Sequence, residues 1–209
     1  MCIVLDHITK RYGCQTVLSD VSIQFESGKI HGLIGRNGSG KTQLFKVICG
    51  YVVPDAGTVT VHGKQVGKDV DFPPDIGLLI ESPGFLMNHS GLFNLELLAA
   101  INTRLTRNDL RNVMSQVGLE QAMHKKVGTY SLGMRKRVGS AQAIMANPQM
   151  VILDEPFNGL DNEGVIDIRK LLLELKKRGK TILIASHNPY DIDALCDTVH
   201  RMDAGMMTQ

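Results

Sequence analysis

At 209 residues the chain suits one domain or a compact pair of subdomains, and 43% hydrophobic with 21% charged residues is the balance of a folded globular protein. That balance excludes a disordered tail, and seven prolines with unpatterned glycines exclude a collagen-like or low-complexity chain. Lys and Arg outnumber Asp and Glu by 23 to 21, a net +2 that is too small to mark a nucleic-acid or membrane-surface binder.

Met1 to His7 has neither a basic region nor a sustained apolar core, so no secretory leader is expected. Apolar runs such as Val151 to Leu153 and Ile182 to Ala185 are strand-sized, far below the roughly 20 residues of a bilayer helix. Cys2, Cys14, Cys49 and Cys196 form no C-x-x-C pair and fit neither a zinc site nor a disulfide framework, which predicts reduced thiols and a cytosolic compartment.

Along the chain, Val21, Ile23 and Phe25 alternate with Ser22, Gln24 and Glu26, the period of a half-buried strand. Lys29 to Ile34 predicts a short strand running into a glycine-rich turn, followed by an apolar helix over Gln43 to Cys49. Val59 and Val61 repeat the strand alternation between Gly57 and Gly63. From Gly84 to Ala146 the texture is helical, with Leu92, Leu95, Leu98 and Ala99 at three- and four-residue steps and Leu110, Val113, Met114 and Val117 likewise. Met150 to Leu153 predicts a strand buried on both faces. An amphipathic helix over Val165 to Arg178 follows, with Lys176, Lys177 and Arg178 favoured by its dipole and Gly179 able to cap it. Thr181 to Ala185 is the next buried strand. Alternation of this kind predicts an α/β core, over 1–83 and 147–209, with a helical insertion over 84–146.

Gly35-Arg36-Asn37-Gly38-Ser39-Gly40-Lys41-Thr42 matches the phosphate-loop pattern in full, between a strand and a helix as the pattern requires. Gly35 and Gly40 let the backbone wrap an anion closely, and the N–H groups with the helix N-terminus offer it partial positive charge. Lys41 can reach the β- and γ-phosphates, and the Thr42 hydroxyl can ligate Mg²⁺. Asp154 and Glu155 close a buried strand at its carboxyl end, where α/β sheets bind ligands. Asp154 is thereby a candidate Mg²⁺ ligand, direct or through water, and Glu155 a candidate to polarise an attacking water. Together they predict a nucleotide hydrolase.

With these motifs in place the chain resembles the ATPase subunit of ATP-binding cassette (ABC) transporters over nearly its whole length. The resemblance rests on Tyr12, the phosphate loop, Tyr130-Ser131-Leu132-Gly133-Met134-Arg135-Lys136-Arg137, Val151 to Pro156, Asn158-Gly159-Leu160-Asp161 and Ser186-His187, in that order. It implies the P-loop NTPase core with an antiparallel β subdomain and a helical subdomain. It also implies ATP and Mg²⁺ as ligands, with Tyr12 stacking on adenine and residues 35–43, from Gly35 through Gln43, around the nucleotide. Ser131 and Gly133 would contact ATP held by a second subunit, Asp161 would lie at the dimer interface, and His187 would sense the γ-phosphate. From the residues alone, Tyr12 also reads as a strand-end aromatic, His187 as a loop histidine and Ser131 as a helix N-cap. The basic run Arg135 to Arg137 reads as a solvated face with no nucleic-acid role.

Two departures from the usual family pattern stand out. Leu132 and Met134 replace a glycine and a glutamine of the signature, although Ser131 and Gly133 remain. Glu81 stands where most relatives carry glutamine, adding a charge beside the nucleotide while remaining a hard-oxygen metal ligand. Both departures resemble the branch that exports bacitracin or lantibiotic-type peptides. This implies a head-to-tail dimer sandwiching two ATP molecules, homodimeric or heterodimeric, cytoplasmic and bound to the membrane's inner face through a separate permease. A subunit of a multidrug or other-substrate exporter, and an ATPase of a soluble assembly such as an iron–sulfur cluster scaffold, are the alternatives.

Overall fold

The computed structural model describes residues 2–81, 83–101 and 105–208, with Cys2 in its backbone only. Cys14, Cys49 and Cys196 are free thiols, and the Cys2 side chain lies outside the described residues. The elements are β1 (Cys2–Tyr12), β2 (Gln15–Glu26), β3 (Ile30–Ile34), α1 (Lys41–Ile48), β4 (Ala56–Val61), β5 (Lys64–Gln65) and β6 (Ile76–Leu79). Then come α2 (Gly91–Ala99), α3 (Arg107–Gln116), α4 (Leu132–Ile144), β7 (Met150–Asp154), α5 (Asn162–Lys177), β8 (Thr181–Ser186), α6 (Pro189–Asp193), β9 (Thr198–Asp203) and β10 (Met206–Thr208).

Two sheets result. An antiparallel sheet has the order β2-β1-β4-β5, and a second sheet has the order β10-β9-β3-β8-β7-β6, parallel except for the β9–β10 hairpin. In β2 the predicted alternation appears as burial of Val21 and Phe25, with Ile23 half-buried, against exposed Ser22, Gln24 and Glu26. The central strands β3, β7 and β8 are buried at every residue, because both of their faces are covered. On one face, Met150, Ile152, Leu183 and Ala185 join α1 and the antiparallel sheet in one apolar cluster. On the other, Val151, Leu153, Ile182 and Ile184 join residues of α2, α3, α4 and α5. Period-two alternation thus divides a single apolar run between two cores.

Between residues 84 and 146 the described residues contain helices and two short 3₁₀ turns and no ladder strand. They pack onto the sheet through a continuous apolar cluster. Gly77 of β6 permits that approach, since a Cβ there would overlap the Ala143 carbonyl oxygen of α4. The caps follow the sequence. Thr106 and Asp109 form a capping box, Ser131 accepts from the Met134 N–H, and Asp161 accepts from the Gly164 N–H. Gly179, at φ 78°, terminates α5 as expected. The predicted helices over Gln43–Cys49 and Val165–Arg178 begin earlier, at Lys41 and Asn162, because their first turns are polar and invisible to an apolar pattern. Among the described residues no helix is long and apolar enough to cross a membrane.

Candidate functional site

Strand register builds the site. Ile34 pairs with Ser186, and Asp154 pairs with Ala185. The residues that leave β3, β7 and β8 (Gly35, Glu155 and His187) therefore emerge together at the carboxyl edge of the sheet, where parallel α/β sheets bind ligands.

The loop from Gly35 to Gly40 is shaped by close approaches. A Cβ on Gly35 would overlap the Met202 carbonyl oxygen and come within 2.5 Å of Ser39 Oγ. Gly40 takes φ 107° as the N-cap of α1, and Gly38 takes φ 81°, both in the left-handed region that favours glycine. The first turn of α1 carries no acidic residue and no side-chain cap, so its N–H groups are left for an anion. Lys41, only 5% exposed, donates to the carbonyls of Gly35 at 2.6 Å and Arg36 at 3.1 Å. Burial pulls its ammonium below the ordinary lysine range, and Glu155 and Asp154 oppose that shift. The Gly205 N–H donates to the Ser39 carbonyl, tying the β9–β10 turn to the loop.

Two side-chain pairs lie beside the loop. The Thr42 hydroxyl donates to Asp154 Oδ2 at 2.7 Å, and His187 Nδ1 lies 2.9 Å from Glu155 Oε2. Burial raises the Asp154 carboxyl above its ordinary value; the Thr42 hydrogen bond counters this, Glu155 adds to it, and Lys136 and Lys41 relieve it. Glu155 itself sits at φ 52°, and its N–H donates to the Ala185 carbonyl. A cleft of about 390 Å³ is lined by Asn37 to Gly40 of the loop, Lys41, Thr42, Gln43, Glu81, Asp154 and Glu155, together with Gln15 and Val17 of β2. Gln15 and Val17 carry no chemical signature in the sequence; strand pairing alone brings them there. Tyr12, half exposed at the end of β1, places its hydroxyl 3.3 Å from Gln43 Oε1 at the margin of this cleft. It is thus a strand-end aromatic within reach of a cleft residue.

Ser131, Gly133 and Asp161 do not line that cleft. They line a small hollow of about 120 Å³ with Met134, Arg137, Gly159 and Leu160. Ser131 caps α4, and Arg137 reaches from α4 to Asp161 Oδ1 at 2.7 Å. Backbone partners and the Arg137 guanidinium hold the Asp161 carboxyl below its ordinary value, the Gly164 N–H foremost. Here the reading of Arg135 to Arg137 as a solvated face is corrected. Lys136 is 8% exposed, and only 12% of the Arg137 side chain is exposed, because α4 turns both towards neighbouring elements. A run of three charges conceals this, since consecutive helical residues point in different directions.

The donor set fits a metal–nucleotide. Among the described residues Asp154 Oδ1, Glu155 Oε1 and Ser39 Oγ are buried with no protein partner, a costly condition unless another group completes them. Among the described residues no cluster of three or more His, Cys, Asp or Glu could hold a metal alone. Mg²⁺ suits such a site, because it binds through one or two carboxylates together with substrate phosphates.

Residues 18–158 match the family profile described as ABC transporter. The chain is 42% identical over 201 residues to the uncharacterized ABC transporter ATP-binding protein YybJ of Bacillus subtilis (strain 168), covering 96% of this chain and 92% of that one. It is 37% identical to the bacitracin transport ATP-binding protein BcrA of Enterococcus faecalis, over 98% of this chain and 67% of the relative's length. Identity to the lantibiotic transport ATP-binding protein SrtF of Streptococcus pyogenes is 31%, over 93% and 84% of the two chains. Among solved structures, the ADP conformation of MJ1267, an ATP-binding cassette of an ABC transporter, superposes with a TM-score of 0.82 at 27% identity, covering 99% of this chain and 89% of that one. A dimeric post-hydrolysis state of the cassette MJ0796, bound to ADP and Pi, superposes at 0.89 over 99% and 97%; at 22% identity it speaks to the fold alone.

Proposed function

This chain belongs to the ABC transporter family as an ATP-binding ATPase subunit, and from that premise we propose that it powers export of a bacitracin- or lantibiotic-type peptide through a separate membrane permease. The named functions of the relatives BcrA and SrtF support this cargo class. One observation carries the catalytic reading: Asp154 Oδ1 and Glu155 Oε1 are buried and, among the described residues, unpartnered, in residues that line a cleft shared with Lys41.

Lys41 and the loop N–H groups from Gly35 to Gly40 bind the phosphates. Arg36, Asn37, Ser39 and Gln43 complete the loop's surroundings, and Tyr12 stacks on the base. Thr42, Asp154 and Glu81 would hold Mg²⁺, which would supply neutralisation of phosphate charge. Glu155 accepts the proton of a water attacking the terminal phosphorus, and the P–O bond to ADP breaks. Hydrogen bonding to Oε2 lets His187 fix the orientation of that carboxylate and leaves Oε1 for the water.

Ser131 and Gly133 serve the nucleotide of a second ATPase subunit, with Asp161 joining them at the interface. Their position in a separate hollow supports this head-to-tail arrangement, homodimeric or heterodimeric. Residues 84–146 form the helical unit that passes motion to the permease, and 1–83 with 147–209 form the nucleotide-binding core. On this reading the chain lies on the cytoplasmic face of the membrane, held by the permease.

The test is co-expression with candidate permeases and challenge with bacitracin- or lantibiotic-type peptides. Resistance should rise and should vanish with Glu155→Gln. Unchanged sensitivity alongside an active ATPase would rule out this cargo class.

A further inference from the structure

Glu81 is gripped from two sides. Its carboxylate pairs with Lys46 Nζ of α1 at 2.5 Å, and its carbonyl accepts from the buried Lys136 Nζ of α4 at 2.9 Å. Lys136 also lies 3.5 Å from the Asp154 carbonyl. With φ at 60° and the carbonyl held by Lys136, the backbone at residue 81 is tied to α4. The side chain is not. It is 62% exposed, and its partner Lys46 is 24% exposed. Glu81 also lines the cleft with Asp154 and Glu155, so three carboxylates surround a space suited to a polyanion.

We propose that Lys46 is a positioning residue that masks the Glu81 carboxylate until a metal–nucleotide arrives. This rests on the reading of Glu81 as a metal ligand. Without the cation, pairing with Lys46 removes one negative charge from the field that meets the phosphates. When the cation arrives, the carboxylate swings to it about the fixed backbone and Lys46 is released. The exchange is downhill because a solvent-exposed ion pair is weak, whereas a divalent ion is the largest local charge in such a site. Glutamate can therefore stand at this position without repelling the triphosphate.

Two measurements test this on the full chain. In the first, lysine acylation is mapped by mass spectrometry on the unmodified protein. Lys46 reactivity should rise with a non-hydrolysable ATP analogue plus Mg²⁺, and should stay at the nucleotide-free level with the same analogue in EDTA. Equal reactivity in all three conditions overturns the exchange. In the second, equilibrium ATP binding in EDTA is compared among Lys46→Met, Glu81→Gln and the double variant. Lys46→Met should weaken metal-free binding by up to about fivefold, the upper reach of an exposed pair, while Lys46→Arg restores it. In the Glu81→Gln background the same change should have a smaller effect; additive effects overturn the masking. The ligand role beneath the proposal is read separately, from the Mg²⁺ concentration giving half-maximal ATPase. If Glu81→Gln leaves that value unchanged, the ligand reading fails, whereas additivity in EDTA removes the masking alone.

Discussion

Gly133→Ala adds a single methyl where α4 meets the turn before α5. The new Cβ would overlap the Gly159 carbonyl oxygen and lie 3.1 Å from the Gly159 carbon and 3.3 Å from Leu160 Cα. All three are backbone atoms, so no rotamer change relieves the contact, and the turn or the helix must move. Alanine's better helix propensity returns at most about 1 kcal/mol, against about 1–3 kcal/mol or more for overpacking. We expect a net loss of about 2 kcal/mol, which for a domain of this size lowers the melting temperature by about 4–8 °C. Circular dichroism melts of the nucleotide-free chain measure it. Gly84→Ala is the control, because among the described residues a Cβ there meets nothing within 4 Å. The displaced turn leads into Asp161, so ATP-dependent dimerisation of a Glu155→Gln background should weaken as well. A Gly133→Ala chain that melts within a degree of the control would refute the reasoning.

Glu155→Gln keeps the shape of the side chain but not its proton-accepting oxygen, so ATPase turnover should fall about 10²–10⁴-fold while ATP binding persists; phosphate release and filter binding separate the two. Lys41→Ala should instead weaken ATP binding by about 30-fold or more, the scale for truncating a buried charge partner, as read by titration calorimetry. Burial holds the His31 imidazole below its ordinary 6.5, where it contacts Thr198 Oγ1 and the Glu26 carbonyl. The unfolded chain then binds more protons below 6.5, so stability is complete above that pH and falls as the pH drops towards the depressed folded value. His200, also lowered by burial, adds the same sign. Denaturant midpoints at about pH 7.5 and 5.5 should differ less in His31→Gln than in the unmodified chain; equal differences would exclude His31.

Length, apolar periodicity and spacing were enough to mark the α/β core, the phosphate loop, the paired carboxylates and the helical stretch, because each is a local pattern with a local physical cause. A loop that must wrap phosphate needs glycines in consecutive turns, and a strand covered on both faces must be apolar throughout. Other features had no such signature. The strands β6, β9 and β10 are short or half exposed, so their alternation is weak, yet the β9–β10 turn buttresses the phosphate loop through Ser39. Gln15 and Val17 enter the cleft only through the packing of β2 beside the loop. The inward turn of Lys136 and Arg137, and the division of the site residues between a cleft and a separate hollow, depend on where helix α4 sits on the sheet. A sequence records which groups are present, but a buried cation declares its partner only when distant segments meet, since charge and hydrogen bonding act through space rather than along the chain.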